Sequence, residues 1–493
     1  MSFYSIDSPM RENWFNFQNS YADLPADFFT LLSPTPVSDP KLVIVNHNLA
    51  DSLGLDFSSL KEQELSEYFS GNKLPEGSKP LAQAYAGHQF AHFTMLGDGR
   101  AILLGEHITP DDHRFDIQFK GSGRTPYSRG GDGRAVLGPM LREYIISEAM
   151  FELGIPTTRS LAVVTTGERV RRETSLPGAI LTRVASSHIR VGTFEFAAAT
   201  GNKQLVEALL DYTVERHYPD LANEQAKAIA LIKRMMELQA ELVLHWMRVG
   251  FIHGVMNTDN MTLCGETIDY GPCAFMDAYN PRTVFSSIDR RGRYAYANQP
   301  NITGWNIARL AEALLPLIHE DVDTAVEIAQ ETLSHFSSLY QEKWISMMAK
   351  KLGLPNVLEG DKELISDLLD WMHENSADYT NTFRELSQSE KPVGTQYQED
   401  SFEQWYARWK TRLKRNEEPL SSAVDLMRNF NPAVIPRNHK IEQALDAASE
   451  GERDSFFALL EALKKPYSDT ERCASYQLPP TQEEQVLHTF CGT

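Results

Sequence analysis

The sequence predicts an α+β protein of two lobes, in which a β-rich N-lobe with one key helix precedes a larger helical C-lobe. Two patterns support this prediction. Short apolar runs separated by Gly-rich turns are typical of strands, and they dominate residues 81–200; longer segments with helical periodicity follow from residue 201. A chain of 493 residues is long enough for about three domains or one large bilobal unit.

Residues 1–80 form an N-terminal segment that is predicted to contain little regular structure, because prolines interrupt it between residues 25 and 40. A short apolar run follows at Leu42–Val45. We expect this segment to be an extension that wraps around the lobes.

The N-lobe, residues 81–200, begins with two apolar runs separated by Gly97-Asp98-Gly99, which predicts a hairpin. Alternation over Phe115–Phe119 predicts a half-buried strand. Apolar residues near helical spacing predict one helix from Pro139 to Leu153, stopped by Gly154. More strands are expected around 161–165 and 179–184.

The C-lobe, residues 201–430, is predicted to be helical except for a stretch rich in Gly, Asn, Asp and Pro at 250–290. Residues 431–493 are expected to form a C-terminal helical extension. The helical segments of the C-lobe are expected near 224–249, 305–318, 321–350 and 360–373.

Composition excludes several classes of function. With 67 acidic and 47 basic residues the formal charge is -20, which disfavours broad binding to nucleic acid or to an anionic membrane. Four cysteines without CxxC spacing predict neither a disulfide framework nor a zinc site. The first residues lack the pattern of a signal peptide, and no run approaches the ~20 apolar residues of a membrane span. We expect a cytoplasmic monomer that binds neither nucleic acid nor membrane.

Positive charge is concentrated between residues 101 and 200, where twelve Lys or Arg face eleven Asp or Glu. The only lysine among them, Lys120, ends the predicted strand at Phe119. Glu143 lies on the predicted helix, and in kinase-like lobes a helix Glu orients a strand Lys toward nucleotide phosphates. The pair alone is weak evidence, and so are the glycine-rich segments Gly97–Arg100 and Gly130–Arg134, since such glycines more often form turns.

The strongest signal is the stretch from His253 to Gly271. It resembles the protein-kinase catalytic loop His-Arg-Asp-x-x-x-x-Asn followed by Asp-Phe-Gly: His253 and Asn260 keep the spacing, and Asp269 begins Asp-Tyr-Gly. Amide and carboxylate oxygens at these two positions suit Mg²⁺ or Mn²⁺. Val255 occupies the position of the kinase base, however, and cannot accept a proton. Asp259 is a carboxylate immediately before Asn260, so catalysis is either lost or uses a displaced base.

These motifs resemble the selenoprotein O (SelO) family of kinase-like protein adenylyltransferases. The segments that carry the resemblance are Phe119–Arg129, His253–Met261 and Ile268–Pro272, and the similarity extends over nearly the whole chain. The resemblance implies a bilobal protein-kinase-like fold in which ATP binds in an inverted orientation. It implies transfer of AMP to Ser, Thr or Tyr hydroxyls of proteins, with pyrophosphate as the leaving group.

The resemblance also implies the site. Asp259 is the expected base, and Asn260 and Asp269 are the expected ligands of Mg²⁺ or Mn²⁺, with Asp269 also in the nucleotide site. Glu143 is expected to orient Lys120. The other residues expected to contact the nucleotide are Gly97, Gly99, Arg100, Asp132, Gly133, Arg183 and Arg190.

The chain ends Phe490-Cys491-Gly492-Thr493, with cysteine where some family members carry selenocysteine. The resemblance implies redox regulation through a disulfide of Cys491. Its partner is not determined by the sequence, and Cys273 is a candidate because it follows Asp269 closely.

Three alternatives remain open. The enzyme could transfer UMP from UTP with Mn²⁺, or it could be a conventional kinase. The missing kinase base is also compatible with an inactive pseudokinase that serves as a nucleotide-binding scaffold.

Overall fold

A computed structural model describes residues 14–388, 391–417 and 419–490. It is a mixed α/β protein in which the long strands precede the majority of the helices. The strands are β1 (Phe29–Leu31), β2 (Lys41–Val45), β3 (Leu81–Gln83), β4 (Ala86–Gln89), β5 (His92–Met95), β6 (Ala101–Ile108), β7 (Arg114–Lys120), β8 (Ala135–Val136), β9 (Arg159–Arg171), β10 (Ser175–Ala185), β11 (Phe251–Ile252) and β12 (Ala274–Phe275).

The helices lie mainly after residue 190. They are α1 (His47–Leu53), α2 (Glu62–Phe69), α3 (Leu137–Glu152), α4 (Val191–Ala199), α5 (Lys203–His217), α6 (Lys227–Val249), α7 (Gln299–Ile318), α8 (Val322–Ser334), α9 (Phe336–Lys351), α10 (Asp361–Glu374), α11 (Tyr379–Leu386), α12 (Asp400–Leu413), α13 (Leu420–Phe430), α14 (Asn438–Ser449), α15 (Asp454–Leu463) and α16 (Ala474–Gln477). None of those in the described ranges is long and apolar enough to cross a membrane.

The chain divides into two compact units. The first contains residues up to Ala84, Leu96–Met140 and Arg159–His188, and the second contains Tyr85–Met95, Leu141–Thr158 and the residues from Ile189 onward.

The first unit is built on an antiparallel sheet with the order β1-β3-β6-β7-β10-β9-β2, and β8 also pairs with β10. The segment before residue 80, expected to wrap around the lobes, supplies both edge strands of this sheet. Apolar residues of α1 and α2, including Leu53 and Phe69, pack with Ile117 and Phe119 of β7 in one buried cluster. Helix packing therefore covers the face of β7 that carries its apolar side chains.

The hairpin predicted across Gly97–Gly99 is wrong. Strand β5 pairs with β4, whereas β6 pairs with β3 and β7. Only Phe90 and Ala91 separate β4 from β5, and a two-residue connection forms the more local hairpin. Gly97–Gly99 is therefore a connecting segment.

The other sequence-based elements are close to the observed ones. The helix predicted over 139–153 is α3, and the strands predicted near 161–165 and 179–184 lie within β9 and β10. The helix expected over 321–350 is divided at His335 into α8 and α9.

The second unit places its irregular stretch directly after a long helix. Helix α6 ends at Gly250, which has a φ of +76° and forms a left-handed cap that glycine adopts without strain. The chain then enters β11, which pairs with β12, and the residues between these two strands form a loop that contains the short 3₁₀ turn Thr258–Asn260. This loop carries the predicted catalytic motif.

Candidate functional site

The polar face of β7 brings together two predicted nucleotide contacts within the first unit. Gln118 and Lys120 alternate with the apolar Ile117 and Phe119, so both polar side chains lie on one face of the sheet. Arg183 pairs with Gln118 in the neighbouring strand β10, and its Nη2 donates to Gln118 Oε1 at 2.5 Å. Lys120 and Arg183 are both buried on this face.

The connecting segment Gly97–Arg100 is fixed against the same strand. Asp98 Oδ2 accepts hydrogen bonds from Gln118 Nε2 at 3.2 Å and from Gln83 N at 3.1 Å. Gly121 N, immediately after Lys120, donates to Arg100 O at 2.7 Å. The structure therefore groups the backbone of Gly97–Arg100 with Lys120.

Close backbone packing explains three of the predicted glycines. A Cβ on Gly133 would lie 2.1 Å from Gly123 O, and the φ of Gly133 is +68°. A Cβ on Gly97 or Gly99 would lie 2.4 Å or 2.9 Å from atoms of Tyr127. These glycines let the loop between β7 and β8 approach the segment that precedes β6.

Asp132 lies at the exposed end of that loop. Its carboxylate pairs with Arg172, with Nη1 and Oδ2 2.9 Å apart, and this hydrogen bond lowers the pKa of Asp132. Arg172 was missed by the sequence analysis, although it belongs to the arginine-rich part of the chain.

The acidic loop of the second unit, defined as residues 257–271, is organised by Arg190. Its Nη1 donates to Asp259 O at 2.9 Å and to Asp269 Oδ2 at 3.0 Å. The Arg190 side chain is buried, and its guanidinium lies 4.5 Å from the centre of the Tyr85 ring. Asp269 has a φ of +60°, a strained conformation for a residue with a side chain. One arginine thus fixes both the turn that carries Asp259 and the carboxylate of Asp269.

Asp259 has the environment expected of a general base. The side chain is buried, and its Oδ1 has no hydrogen-bond partner among the described residues. Burial raises the pKa of Asp259 to about 6, while the positive charge of Arg190 opposes this shift. A carboxylate with a pKa near the operating pH and an unpartnered oxygen is suited to accept a proton.

Two glycines make room for Asp259, and the sequence analysis missed both. A Cβ on Gly87 in β4 would lie 2.3 Å from Asp259 Oδ1, and a Cβ on Gly192 in α4 would lie 2.0 Å from Ala86 O. Gly87 therefore lets β4 pack closely against the Asp259 carboxylate, and Gly192 lets the start of α4 pack closely against β4. No local sequence signal distinguishes these glycines from ordinary turn residues.

A second polar group next to Asp259 was also missed. The Thr258 hydroxyl donates to Glu195 Oε2, the other oxygen of Glu195 contacts His88 Nδ1, and His88 N donates to Thr258 Oγ1 at 2.7 Å. Burial raises the pKa of Glu195. These contacts join β4 and α4 to the turn that carries Asp259.

His253 has a structural role in the described contacts. Its ring Nε2 lies 2.9 Å from Ile268 O, and its backbone N donates to Gln299 Oε1 at 3.0 Å. Burial lowers the pKa of His253, which favours the neutral ring. The side chain therefore connects the segment that precedes the acidic loop to Ile268 within it.

The predicted metal ligands fit a cation that also binds phosphate. Asn260 Nδ2 donates to Val255 O at 2.9 Å, which fixes the amide and leaves its Oδ1 to coordinate. Asp269 supplies a carboxylate held by Arg190. Within the described ranges no group of three or more His, Cys, Asp or Glu side chains is placed to hold a metal ion. Mg²⁺ commonly uses one or two protein oxygens and completes its shell with phosphates and water.

The remaining predicted residues are Glu143 and Cys491. Glu143 is buried on α3, and Cys491 lies outside the described residues. Thr489, two positions earlier, donates from Oγ1 to Pro272 O at 2.6 Å, so this part of the chain lies beside the residue that precedes Cys273.

Comparisons with known proteins show the family of this chain. The family described as "Protein adenylyltransferase SelO" matches residues 13–464. A protein named "Protein nucleotidyltransferase YdiU" from Alcanivorax borkumensis is 59% identical over 480 residues, covering 97% of this chain and 99% of that protein. Proteins of the same name from Bacillus cytotoxicus and Nitrosococcus oceani are 58% and 57% identical, covering 98% and 97% of this chain and 99% and 97% of their own lengths. The chain therefore belongs to the SelO family and is a nucleotidyltransferase.

Proposed function

We propose that this nucleotidyltransferase transfers AMP from ATP to Ser, Thr or Tyr hydroxyls of proteins and releases pyrophosphate. The observation that carries this proposal is the environment of Asp259. A valine occupies the position of the kinase base, and a buried carboxylate with an unpartnered oxygen lies four residues later. A displaced base fits an inverted ATP, in which the α-phosphate rather than the γ-phosphate faces the acceptor.

The proposed fold is the bilobal protein-kinase-like one, with lobes and extensions at the boundaries predicted from the sequence. Its support is the combination of a β-rich unit that carries Lys120 with a mainly helical unit that carries the acidic loop.

In the proposed reaction the acceptor oxygen attacks the α-phosphorus as Asp259 Oδ1 takes the hydroxyl proton. The bond from the α-phosphorus to the bridging oxygen breaks, and pyrophosphate leaves. Lys120 and Arg183 neutralise phosphate charge, with Glu143 orienting Lys120. A Mg²⁺ or Mn²⁺ ion held by Asn260 and Asp269 would add further positive charge.

Arg190 is also proposed to serve the nucleotide site, and its contacts favour a positioning role. Its Nη1 already donates to Asp269 and to the backbone of Asp259. Gly97, Gly99, Arg100, Asp132 and Gly133 are proposed to shape the rest of the nucleotide pocket.

Intact-protein mass measurement after incubation with ATP and Mg²⁺ or Mn²⁺ tests this proposal. An AMP adduct on the enzyme or on an added protein supports it. A phosphate adduct supports a conventional kinase, a UMP adduct formed preferentially from UTP with Mn²⁺ supports uridylylation, and bound nucleotide without any adduct supports an inactive scaffold.

Redox control through Cys491 is a separate proposal. Its support is the hydrogen bond from Thr489 to Pro272 O, which places Thr489 beside the residue that precedes Cys273. We expect an oxidant to change transfer activity in the wild-type protein and to have no effect in Cys491→Ser. If an oxidant changes the activity of Cys491→Ser as much as it changes that of the wild type, this proposal is contradicted.

A further inference from the structure

The hairpin β4–β5 presents one unpaired edge beside the proposed base. It is a two-stranded sheet in which Gly87 pairs with Thr94 and His88 pairs with Phe93. Within the described ranges neither strand joins another sheet. Gly87 packs against the carboxylate of Asp259, so the hairpin is continuous with the proposed catalytic site.

The acidic loop occupies the outer edge of β4. His88 N donates to Thr258 Oγ1 at 2.7 Å, and Phe90 N donates to Asn257 Oδ1 at 3.2 Å. Asn257 Oδ1 also accepts from the Tyr294 hydroxyl at 2.6 Å. Side chains of the loop therefore satisfy β4 on the side that faces away from β5.

None of the described residues covers the outer edge of β5 in this way. In an antiparallel hairpin closed by two residues, alternate positions direct N–H and C=O away from the partner strand, and in β5 these are Phe93 and Met95. No backbone hydrogen bond outside the hairpin reaches the N–H of either residue within the described ranges. Their side chains share one face and are 45% and 49% exposed. We call these exposed groups of Phe93 and Met95 the β5 edge.

The turn of the hairpin is strained and is held in place by the acidic loop. Phe90 and Ala91 have φ values of +49° and +68°, a conformation that usually requires glycine or asparagine. The Phe90 ring packs against Tyr294 at 5.1 Å, in addition to the bond from Phe90 N to Asn257. Strained backbone that is fixed by neighbouring contacts tends to occur at functional sites.

We propose that the β5 edge binds an extended segment of the acceptor protein as an added β-strand. This inference rests on the proposed function, because it assigns the docking surface for the protein that receives AMP. An exposed strand edge with apolar side chains is a template for strand addition, in which backbone bonds supply affinity and side chains select the partner. The proposed partner segment is unfolded, has small apolar residues facing Phe93 and Met95, and has a hydroxyl residue nearby.

Strand spacing determines where that hydroxyl lies. Adjacent strands are about 4.8 Å apart, so an added strand lies about 10 Å from β4 and from the contact of Gly87 with Asp259. The paired residues themselves are too far away to react. At about 3.3 Å per residue, a segment that leaves the paired stretch and turns toward Asp259 spans this distance in roughly three residues, which is where we place the modified hydroxyl.

Met95→Pro tests the β5 edge, because proline removes an outward N–H that the hairpin does not use. The acceptor is reduced and alkylated casein, an unfolded protein with many hydroxyls, and α-labelled ATP reports transfer. We expect the KM for casein to rise about tenfold, the loss expected for one or two backbone hydrogen bonds, with ATP affinity within twofold of wild type. Phe93→Ser/Met95→Ser should raise the KM as well, whereas Val322→Ser, at an exposed position on α8, should not.

Hydrogen exchange on the wild-type protein provides a second measurement that does not depend on a variant. Casein with a non-hydrolysable ATP analogue should slow exchange at the amides of Phe93 and Met95. Equal KM values for wild type and Met95→Pro, or unchanged exchange at both amides, would overturn the docking proposal. So would self-modification by AMP without transfer to casein. If the wild-type protein shows neither AMP transfer nor pyrophosphate release, the proposed function itself is overturned.

Discussion

The polar face of β7 and the acidic loop carry side chains of opposite charge on different kinds of backbone. Lys120 of β7 and Arg183 of the neighbouring β10 lie on regular strands, and strand pairing on both sides of β7 fixes their positions. In the acidic loop, Asp259 and Asp269 lie on irregular backbone, and Asp269 has a positive φ. The comparison indicates that the cations proposed to bind phosphate lie on regular strands, whereas the proposed base lies on irregular backbone where burial disfavours its negative charge.

The largest expected effect comes from Asp269→Ala. This variant removes a proposed metal ligand and one of the two acceptors of Arg190 Nη1, so both metal–ATP binding and the order of the acidic loop should be lost. We expect transfer to fall by about 10³-fold or more, with no measurable metal–ATP binding by calorimetry. Asp220→Ala, at an exposed ion pair, is the control. Unaltered affinity for metal–ATP in Asp269→Ala would contradict the ligand assignment.

Asp259→Asn should separate catalysis from binding. Asparagine keeps the size of the side chain but cannot accept the proton, so the transfer rate should fall roughly 10²- to 10⁴-fold. Affinity for metal–ATP should stay within twofold, since the proposed nucleotide contacts are on other residues. A variant with unchanged transfer would remove Asp259 from its proposed role.

Gly87→Ala tests the position of the proposed base, because it should displace the Asp259 carboxylate without changing its chemical identity. The added Cβ would lie 2.3 Å from Asp259 Oδ1, and the side chain must shift. Displacement of a reacting group by about 1 Å costs up to about 10²-fold, and we expect a loss of that order in the transfer rate. Gly138→Ala is the matched control, because a Cβ there meets nothing within 4 Å. Equal losses in both variants would show that the effect is not local to Asp259.

Lys120→Met and Arg183→Met test the cations proposed to bind the nucleotide phosphates. Both remove a cation from the β7 face and leave the acidic loop unchanged. We expect the KM for ATP to rise about tenfold in each, the scale of one charge-assisted hydrogen bond, with the pH dependence of transfer unaltered. A changed pH dependence would show that these cations act on the base rather than on the nucleotide.

The smallest expected effect is on stability and depends on pH. Because burial raises the pKa of Asp259 from 3.8 to about 6, the folded state holds this proton more tightly than the unfolded state. The group therefore contributes stability below about pH 4, and this contribution is lost as pH rises to about 6, a change of at most about 3 kcal/mol. In the presence of chelator, Asp259→Asn should melt at a higher temperature than wild type at pH 8 and at a similar temperature at pH 4. A lower melting temperature at pH 8 would contradict the burial argument.

The sequence predicted the secondary structure of the segments that carry the proposed site better than it predicted the tertiary contacts around them. The alternation in Phe115–Phe119 locates β7, but it predicts a half-buried strand, whereas polar partners such as Asp98 let the polar face be buried as well. The spacing of His253, Asn260 and Asp269 identified the acidic loop as one unit. Gly87 and Glu195 were missed, because their roles depend on contacts between residues that are far apart in the chain.

The most direct test of the central claim uses ATP labelled on the α-phosphate in one reaction and on the γ-phosphate in another, with the same protein acceptor and metal. The account predicts that label reaches protein only from the α-position and that this transfer is lost in Asp259→Asn. Label that reaches protein only from the γ-position would contradict it.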